Sequence, residues 1–288
     1  MGEKCNEAAP KNLGIIYADE SGKGLSHPFF VLILDSFREE AAAHGYNITF
    51  INHRIINKSG ILLPYCRSST LNGICMVCVK YELPEIQELA ASEIPCVTID
   101  HMYRRVPAVL SDNETGVRKL VEYAISCGHE RIAFIHGHNN SIVTRTRIQQ
   151  FRSVMDYHGL PVSAGYLREG LYSDIGLTRR LVKELLLLPD RPTCILLPDD
   201  ISYLGAQDAA RELGLRIPED ISFAGYDCIP ITQSLTPRLT TIRQNTSKMG
   251  KIAAQLLIEQ IENPDTVRPT PRIFPVELVE GGTMYNLK

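Results

Sequence analysis

No stretch of this sequence approaches the ~18 consecutive apolar residues that a membrane-spanning helix needs. The opening MGEKCNEAAPK likewise has no apolar core of the kind a secretory signal carries. A transmembrane span is excluded and a cytoplasmic location is expected; a mature exported chain, its leader already removed, is the alternative. Charge bias is missing too. Thirty Lys and Arg stand against 33 Asp and Glu, a formal net charge of -3, so bulk charge favours neither nucleic acid nor an anionic membrane. Eight cysteines are scattered through apolar runs without framework spacing, which fits reduced thiols rather than a disulfide-stapled secreted fold.

Chemical motifs are also lacking. There is no GxGxxG after the first strand-like run, no P-loop and no GxSxG, so nucleotide-cofactor and hydrolase readings lose their usual warrants. Cys75-Met76-Val77-Cys78 is a CxxC, but it lies in a strand-like run where residues i and i+3 face opposite sides, so neither pairing nor chelation is expected. His129, His136 and His138 cluster without a carboxylate or cysteine to complete a metal set. No metal, cofactor or catalytic residue is expected, and no nucleophile–base set points to an enzyme.

What is present is a rhythm. The 288 residues, 44% hydrophobic and 22% charged, suggest about two domains of ~150 residues. Short apolar strands at Leu13–Ala18, Ile48–Ile51, Gly73–Val79 and Pro95–Ile99 alternate with amphipathic helices such as Phe29–His44, where Phe30, Ile33, Leu34, Phe37 and Ala41 recur at spacings of three and four. Asn57–Thr70 is ambiguous because Gly60 and Pro64 interrupt it. The rhythm restarts after Ser111: strands at Arg131–His136, Tyr166–Gly170 and Cys194–Leu197 alternate with helices at Asn113–Cys127, Thr144–His158, Asp174–Leu188 and Ile201–Leu213. A helix at Thr246–Glu262 and a strand at Arg272–Glu280 follow. This predicts an α/β fold of two doubly wound parallel-sheet lobes joined by several hinge crossings, with a cleft between their strand ends.

Arg216–Gln244 concentrates the interest. Ile221–Ala224 reads as a buried strand, and Asp227 stands just past its carboxyl end, the rim where open parallel sheets bind ligands. Pro230 and Pro237 are expected to keep the chain out of helix until Leu239–Ile242 resumes an extended run. Thr241–Gln244 is expected to be a hinge crossing.

Several segments carry a resemblance: HPFF at 27–30, SDNETG at 111–116, GHERIAFIHG at 128–137, RIQQF at 147–151, PDDISYLGA at 198–206, IPEDISFAGYD at 217–227 and LTPRLTTIRQ at 235–244. In this order and spacing the chain resembles the effector-binding core of the lactose-repressor (LacI/GalR) family of bacterial transcriptional regulators, which shares its fold with periplasmic sugar-binding proteins. The resemblance runs from about Leu13 to Glu280. It implies an N-terminal lobe of 12–110 plus 243–271, a C-terminal lobe of 111–242 plus 272–288, and a short disordered remnant at 1–11. It implies a homodimer that senses a small-molecule effector, most naturally a sugar or sugar derivative. Operator DNA would be contacted only through a helix-turn-helix domain of ~50 residues for which 1–11 leaves no room. A periplasmic-type sugar-binding protein is the alternative.

Asp100, Arg147 and Asp227 fall where the family contacts its effector. Carboxylates accept from hydroxyls and a guanidinium offers fixed donors; a structural Arg–Asp ion pair is the competing reading. The family places aromatics at Phe29 and Phe30, of which Phe29 is expected to face the ligand because Phe30 continues the apolar face. Tyr172 is expected to stack on the ligand, or else to be a surface tyrosine. Asp199, where the family has an amide, is a further contact expected, with Asp200 the natural N-cap of the following helix. The family's second polar residue after Asp227 is here Cys228.

Overall fold

The computed structural model describes residues 11–17, 27–51, 55, 60–264 and 266–288. The expected disordered start (apart from Lys11), the polar loop at 18–26 and the first residues of the ambiguous 57–70 stretch lie outside these. The chain forms two compact units, one made of the described residues up to Leu110 with Thr246–Phe274, the other of Ser111–Asn245 with Pro275–Lys288.

In chain order the first unit supplies β1 (Asn12–Tyr17), α1 (Pro28–Ala43), β2 (Asn47–Ile51), α2 (Leu62–Ser68), β3 (Gly73–Val77), α3 (Pro84–Ala91), β4 (Cys96–Ile99) and, at the junction, β5 (Ala108–Ser111). The second supplies α4 (Asn113–Ser126), β6 (Ile132–His136), α5 (Ile142–Tyr157), β7 (Leu167–Glu169), α6 (Ile175–Leu186), β8 (Cys194–Leu196), α7 (Ser202–Glu212), β9 (Ser222–Ala224), α8 (Pro230–Gln233) and β10 (Thr241–Arg243). The chain then returns to the first unit for α9 (Thr246–Glu262) and β11 (Arg272–Phe274), and to the second for β12 (Glu277–Val279).

In the first unit the strands lie in the order β11-β5-β4-β3-β1-β2, with β1 through β5 paired in parallel. The two-residue period of a strand sorts its side chains between two cores. Leu13, Ile15, Cys75, Val77, Val97 and Ile99 pack under α1 and α9, whereas Ile16, Ile51, Ile74, Met76 and Cys96 pack under α2 and α3. Helices α1 and α9 meet closely at Gly250, where a Cβ would collide with the Ile33 carbonyl and the Ser36 hydroxyl; only a missing side chain permits this approach.

The second unit repeats the plan. Its parallel sheet runs β7-β6-β8-β9. Ile132, Phe134, Cys194, Leu196 and Ala224 face one core with Phe151 of α5; Ala133, Ile135, Ile195 and Phe223 face the other with Leu185 of α6 and Tyr203 of α7. A separate antiparallel ribbon joins β10 to β12. His129, expected in a turn, is buried, with Nδ1 3.0 Å from Thr193 Oγ1 and Nε2 3.1 Å from the Tyr285 carbonyl, and so ties the C-terminal segment to the sheet.

The local differences from the sequence expectation have local causes. Pro230 starts the short helix α8 instead of preventing it, because at the first helical position its missing N–H is an orphan anyway. Pro64 sits in the first turn of α2 for the same reason. The single strand expected over Arg272–Glu280 is two, β11 and β12, separated at Pro275 and belonging to different sheets. The CxxC argument also fails past Val77: Cys78 is left-handed (φ +51), and it packs against the same core that holds Cys75. Neither is in a disulfide. Among the described residues no helix is long and apolar enough to cross a membrane, and no three His, Cys, Asp or Glu side chains are grouped to hold a metal.

Candidate functional site

At the carboxyl end of β9 the chain does not turn away at once. Gly225 N–H donates to the Thr240 carbonyl (2.9 Å) and Asp227 N–H to that of Ile242 (2.8 Å), so the segment past β9 lies parallel to β10. Asp227 (φ +115) and Cys228 (φ +58) are both left-handed, a strain of about 1–3 kcal/mol each that aims their side chains where an ordinary loop would not. Every non-glycine residue with positive φ among those described lies beyond the carboxyl end of a strand: Cys78, Asp100, Ser173, Asp227 and Cys228. In a parallel α/β sheet this is the ligand-binding end.

Arg147 is placed by α5 and is only 6% exposed. Its Nε donates to Asn113 Oδ1 (2.7 Å) and its Nη1 to the Pro198 carbonyl (3.1 Å). The guanidinium carbon lies 3.5 Å over the Tyr226 ring, a cation–π contact that is stronger where water is excluded. Thr144, one turn earlier on α5, shares a 2.9 Å hydrogen bond with the Tyr172 hydroxyl. The Tyr172 ring in turn lies where a Cβ of residue 137 would be, which explains the glycine there. Tyr172 is thus half-buried and fixed, not a loose surface side chain.

The capping role expected of Asp200 falls to its neighbour. Asp199, not Asp200, caps the start of α7: its Oδ1 accepts from Ser202 N–H (2.8 Å) and its Oδ2 from Ser173 N–H. Asp200 reaches the other way. Its Oδ2 accepts from Ile229 N–H (3.0 Å) and Thr232 Oγ1 (2.7 Å), and its Oδ1 from Thr241 Oγ1. The reason is tertiary: past the end of β8 one carboxyl meets α7 and the loop after β7, the other α8 and β10.

Asp227 Oδ1 accepts from Gln244 Nε2 (2.6 Å). Gln244 is 5% exposed, and its own Oε1 is buried without a hydrogen-bond partner among the described residues. Burial, then the Asp199 and Asp200 carboxyls, hold the Asp227 carboxyl well above the usual carboxylate range; Arg147 and the Gln244 amide pull the other way. Burial likewise pushes the Tyr172 phenol up, partly offset by Arg147. Arg147, Tyr172, Asp199 and Asp227 therefore share one electrostatic environment in the second unit. It can grip hydroxyls: a fixed guanidinium, a buried carboxyl and one acceptor without a partner among the described residues.

Phe29 and Asp100 belong to the first unit. The expectation that Phe29 faces the ligand is corrected by α1 itself: Phe29, Ile33, Phe37 and Ala41 form the buried stripe at spacing four, and Phe29 is a core residue. Phe30 is the half-exposed one, beside Tyr17 and His27 at ring-centroid distances of 6.0 and 5.0 Å. Asp100 follows β4 in the left-handed conformation (φ +59) with its N–H on the Val109 carbonyl (2.9 Å). Sequence reasoning missed Asn113, Tyr226 and Gln244 as members of the site. Each stands beside or within a segment already singled out, but only a folded chain shows that Asn113 meets an arginine 34 residues away.

Known proteins share the fold that carries these residues. The family profile described as periplasmic binding protein-like domain matches residues 121–284. The HTH-type transcriptional repressor PurR of Haemophilus influenzae is 29% identical over 262 residues, 88% of this chain and 75% of that protein. A crystal structure of a regulatory protein of the LacI family from Chloroflexus aggregans superposes with a TM-score of 0.82 at 27% identity, covering 94% of this chain and 98% of that one. A LacI family transcriptional regulator from Enterococcus faecium, solved with bound ribose, shares the fold at 23% identity and a TM-score of 0.82, covering 96% and 100% of the two chains.

Proposed function

The chain belongs to the periplasmic binding protein-like domain family, as the effector-binding core of a LacI/GalR-type transcriptional regulator, and on that premise we propose that it senses a small hydroxyl-rich molecule, a sugar or sugar derivative. The observation that carries this is the pairing of Asp227 with Gln244. One carboxyl oxygen is taken by the Gln244 amide, and the amide's own buried Oε1 has no donor among the described residues. An acceptor stranded in this way costs roughly 1–3 kcal/mol until a ligand donor reaches it, and an effector hydroxyl supplies one. Arg147 adds a cationic fork held in place by Asn113, Pro198 and Tyr226. Ribose in the Enterococcus faecium structure is of the same chemical class.

Asp199 is proposed as a support for the loop carrying Tyr172 rather than a direct contact. Allostery then requires the effector to bind two arrangements of the protein with different affinity, the difference being passed to a helix-turn-helix domain that meets operator DNA. A thermal-shift screen of sugars, purines and amino compounds checks the ligand class. A hit at 100 times its Kd raises stability by about 2.7 kcal/mol, and Asp227→Ala abolishes that rise. A screen in which only compounds without hydroxyls stabilise the protein contradicts the proposal, as does an Asp227→Ala variant that binds the hit like wild type.

The protein is also proposed to act as a homodimer through the first unit. Helix α1 exposes Val31 (39%) and Leu32 (41%), and β2, an edge strand of its sheet, exposes Phe50 (47%); apolar groups left on one face mark an interaction surface. Light scattering is expected to give twice the 32.2 kDa chain mass, and a Val31→Glu, Leu32→Glu variant half as much. A wild-type protein that stays monomeric at high concentration rules this face out.

A further inference from the structure

Asp199 and Asp200 stand side by side just past β8, 2% and 0% exposed, and each turns its two oxygens on different parts of the chain. The stretch that carries them is fastened to the sheet: Leu197 N–H donates to the Ala224 carbonyl and Asp200 N–H to that of Tyr226, both at 2.8 Å. Tyr172 lies in the loop after β7 and Asp227 in the segment after β9. In the sheet β6 and β8 lie between those two strands, so the strand ladder leaves open how the loop and the segment sit relative to each other.

Given that Tyr172 and Asp227 meet the effector, as proposed above, we infer that Asp199 and Asp200 together are the brace of that site. Asp199 positions the Tyr172 loop, Asp200 positions the Asp227 segment, and their adjacency in the chain fixes the one against the other. Helix capping does not account for Asp199. A cap needs one acceptor, which an amide or a hydroxyl supplies as well, and Ser202 N–H occupies only Oδ1 (2.8 Å). Oδ2 accepts from Ser173 N–H. Ser173, next to Tyr172, is left-handed (φ +57), a conformation that a serine keeps where its surroundings impose it.

Asp200 treats the other segment likewise. Its Oδ2 accepts from Ile229 N–H (3.0 Å) and Thr232 Oγ1 (2.7 Å), and its Oδ1 from Thr241 Oγ1. The start of α8 and the start of β10 are thereby tied to one side chain, directly after Asp227 and Cys228 in their left-handed conformations. Gly225 lets the carboxyl come this close, since a Cβ there would collide with Oδ1.

The partners differ in kind, which makes the two aspartates separable. Ser202 and Ser173 present N–H groups, which only donate, so Asp199→Asn satisfies one of them and turns its own NH2 on the other. Thr241 presents a hydroxyl, which can also accept. Asp200→Asn keeps an oxygen on Ile229 and Thr232 and donates to Thr241, so the same substitution is tolerated one residue later.

Hydrogen exchange of the intact chain without any effector, read by mass spectrometry over 171–174 and 226–232, tests this. No effector takes part, so a wrong effector assignment leaves the outcome unchanged and shows in the thermal-shift screen instead. Asp199→Asn is expected to quicken exchange over 171–174 by about tenfold or more, the effect of stranding one buried donor, and to leave 226–232 near wild type. Asp200→Leu is expected to do the reverse, and Asp200→Asn to leave both segments near wild type. Wild-type exchange over 171–174 in Asp199→Asn overturns the proposal, as does wild-type exchange over 226–232 in Asp200→Leu. Equal quickening of both segments by either change means general loosening and overturns it too, and so does an Asp200→Asn variant as fast as Asp200→Leu. Should Asp200→Leu fold poorly, Thr232→Val and Thr241→Val replace it. Each removes one hydrogen bond and is expected to quicken 226–232 about fivefold; no change in either overturns the proposal.

Discussion

Arg147→Ala is expected to weaken effector binding by roughly 30- to 5000-fold, corresponding to the 2–5 kcal/mol typical of truncating a buried, hydrogen-bonded charge. Three separate losses add to it. The effector loses a fixed donor fork; Asn113 Oδ1 and the Pro198 carbonyl lose their donor; and Tyr226, buried under the guanidinium, loses the group its ring packs against. Removing the cation also takes away the main group that opposes proton uptake by Asp227. Arg147→Lys separates the contributions. It retains charge but not the planar fork, so a loss close to that of alanine assigns the effect to geometry, and near-full recovery assigns it to charge. Calorimetry measures the affinities, and circular dichroism confirms that each variant is folded. Wild-type affinity in Arg147→Ala would sink the site.

Asp200→Ala is expected to destabilise the protein by about 3–5 kcal/mol, measured by urea unfolding at pH 5. Alanine leaves the Ile229 N–H and the Thr232 and Thr241 hydroxyls, all buried, without their acceptor. Each stranded donor costs roughly 1–3 kcal/mol, less than additively because the segment can relax, and the vacated volume adds a cavity term. Thr241→Val removes a single hydrogen bond and is expected to lose only about 1 kcal/mol. If alanine costs no more than valine, Asp200 does not organise this segment.

Much of the fold was legible because its signals are local. The alternation of period-two apolar runs with helical stripes follows from backbone geometry alone, and it placed strands β1 to β4 and β6 to β9 in order with most of the helices between them, leaving α2 ambiguous at Gly60 and Pro64. Asp100 and Asp227 were visible by the same means, since a carboxylate just past a strand end needs no knowledge of distant partners. Where a choice depended on side-chain direction, the sequence could mislead. The apolar stripe of α1 contains both a 29-33-37-41 and a 30-33-37 path, and only packing on the sheet shows that Phe29 takes the core position.

The stretch around Asp227 shows the division most clearly. By itself the sequence determined that a strand ends at Ala224, that a carboxylate follows it, and that an extended run resumes near Thr241. Only tertiary structure decided that Gln244 holds that carboxylate, that Asp199 caps a helix, and that Asp200 bonds to Thr241 41 residues away. The physical reason is range. Propensity and periodicity act over a few residues, whereas a hydrogen bond between distant residues exists only after the sheet has set both ends, and a buried carboxyl's proton affinity depends on everything that then surrounds it.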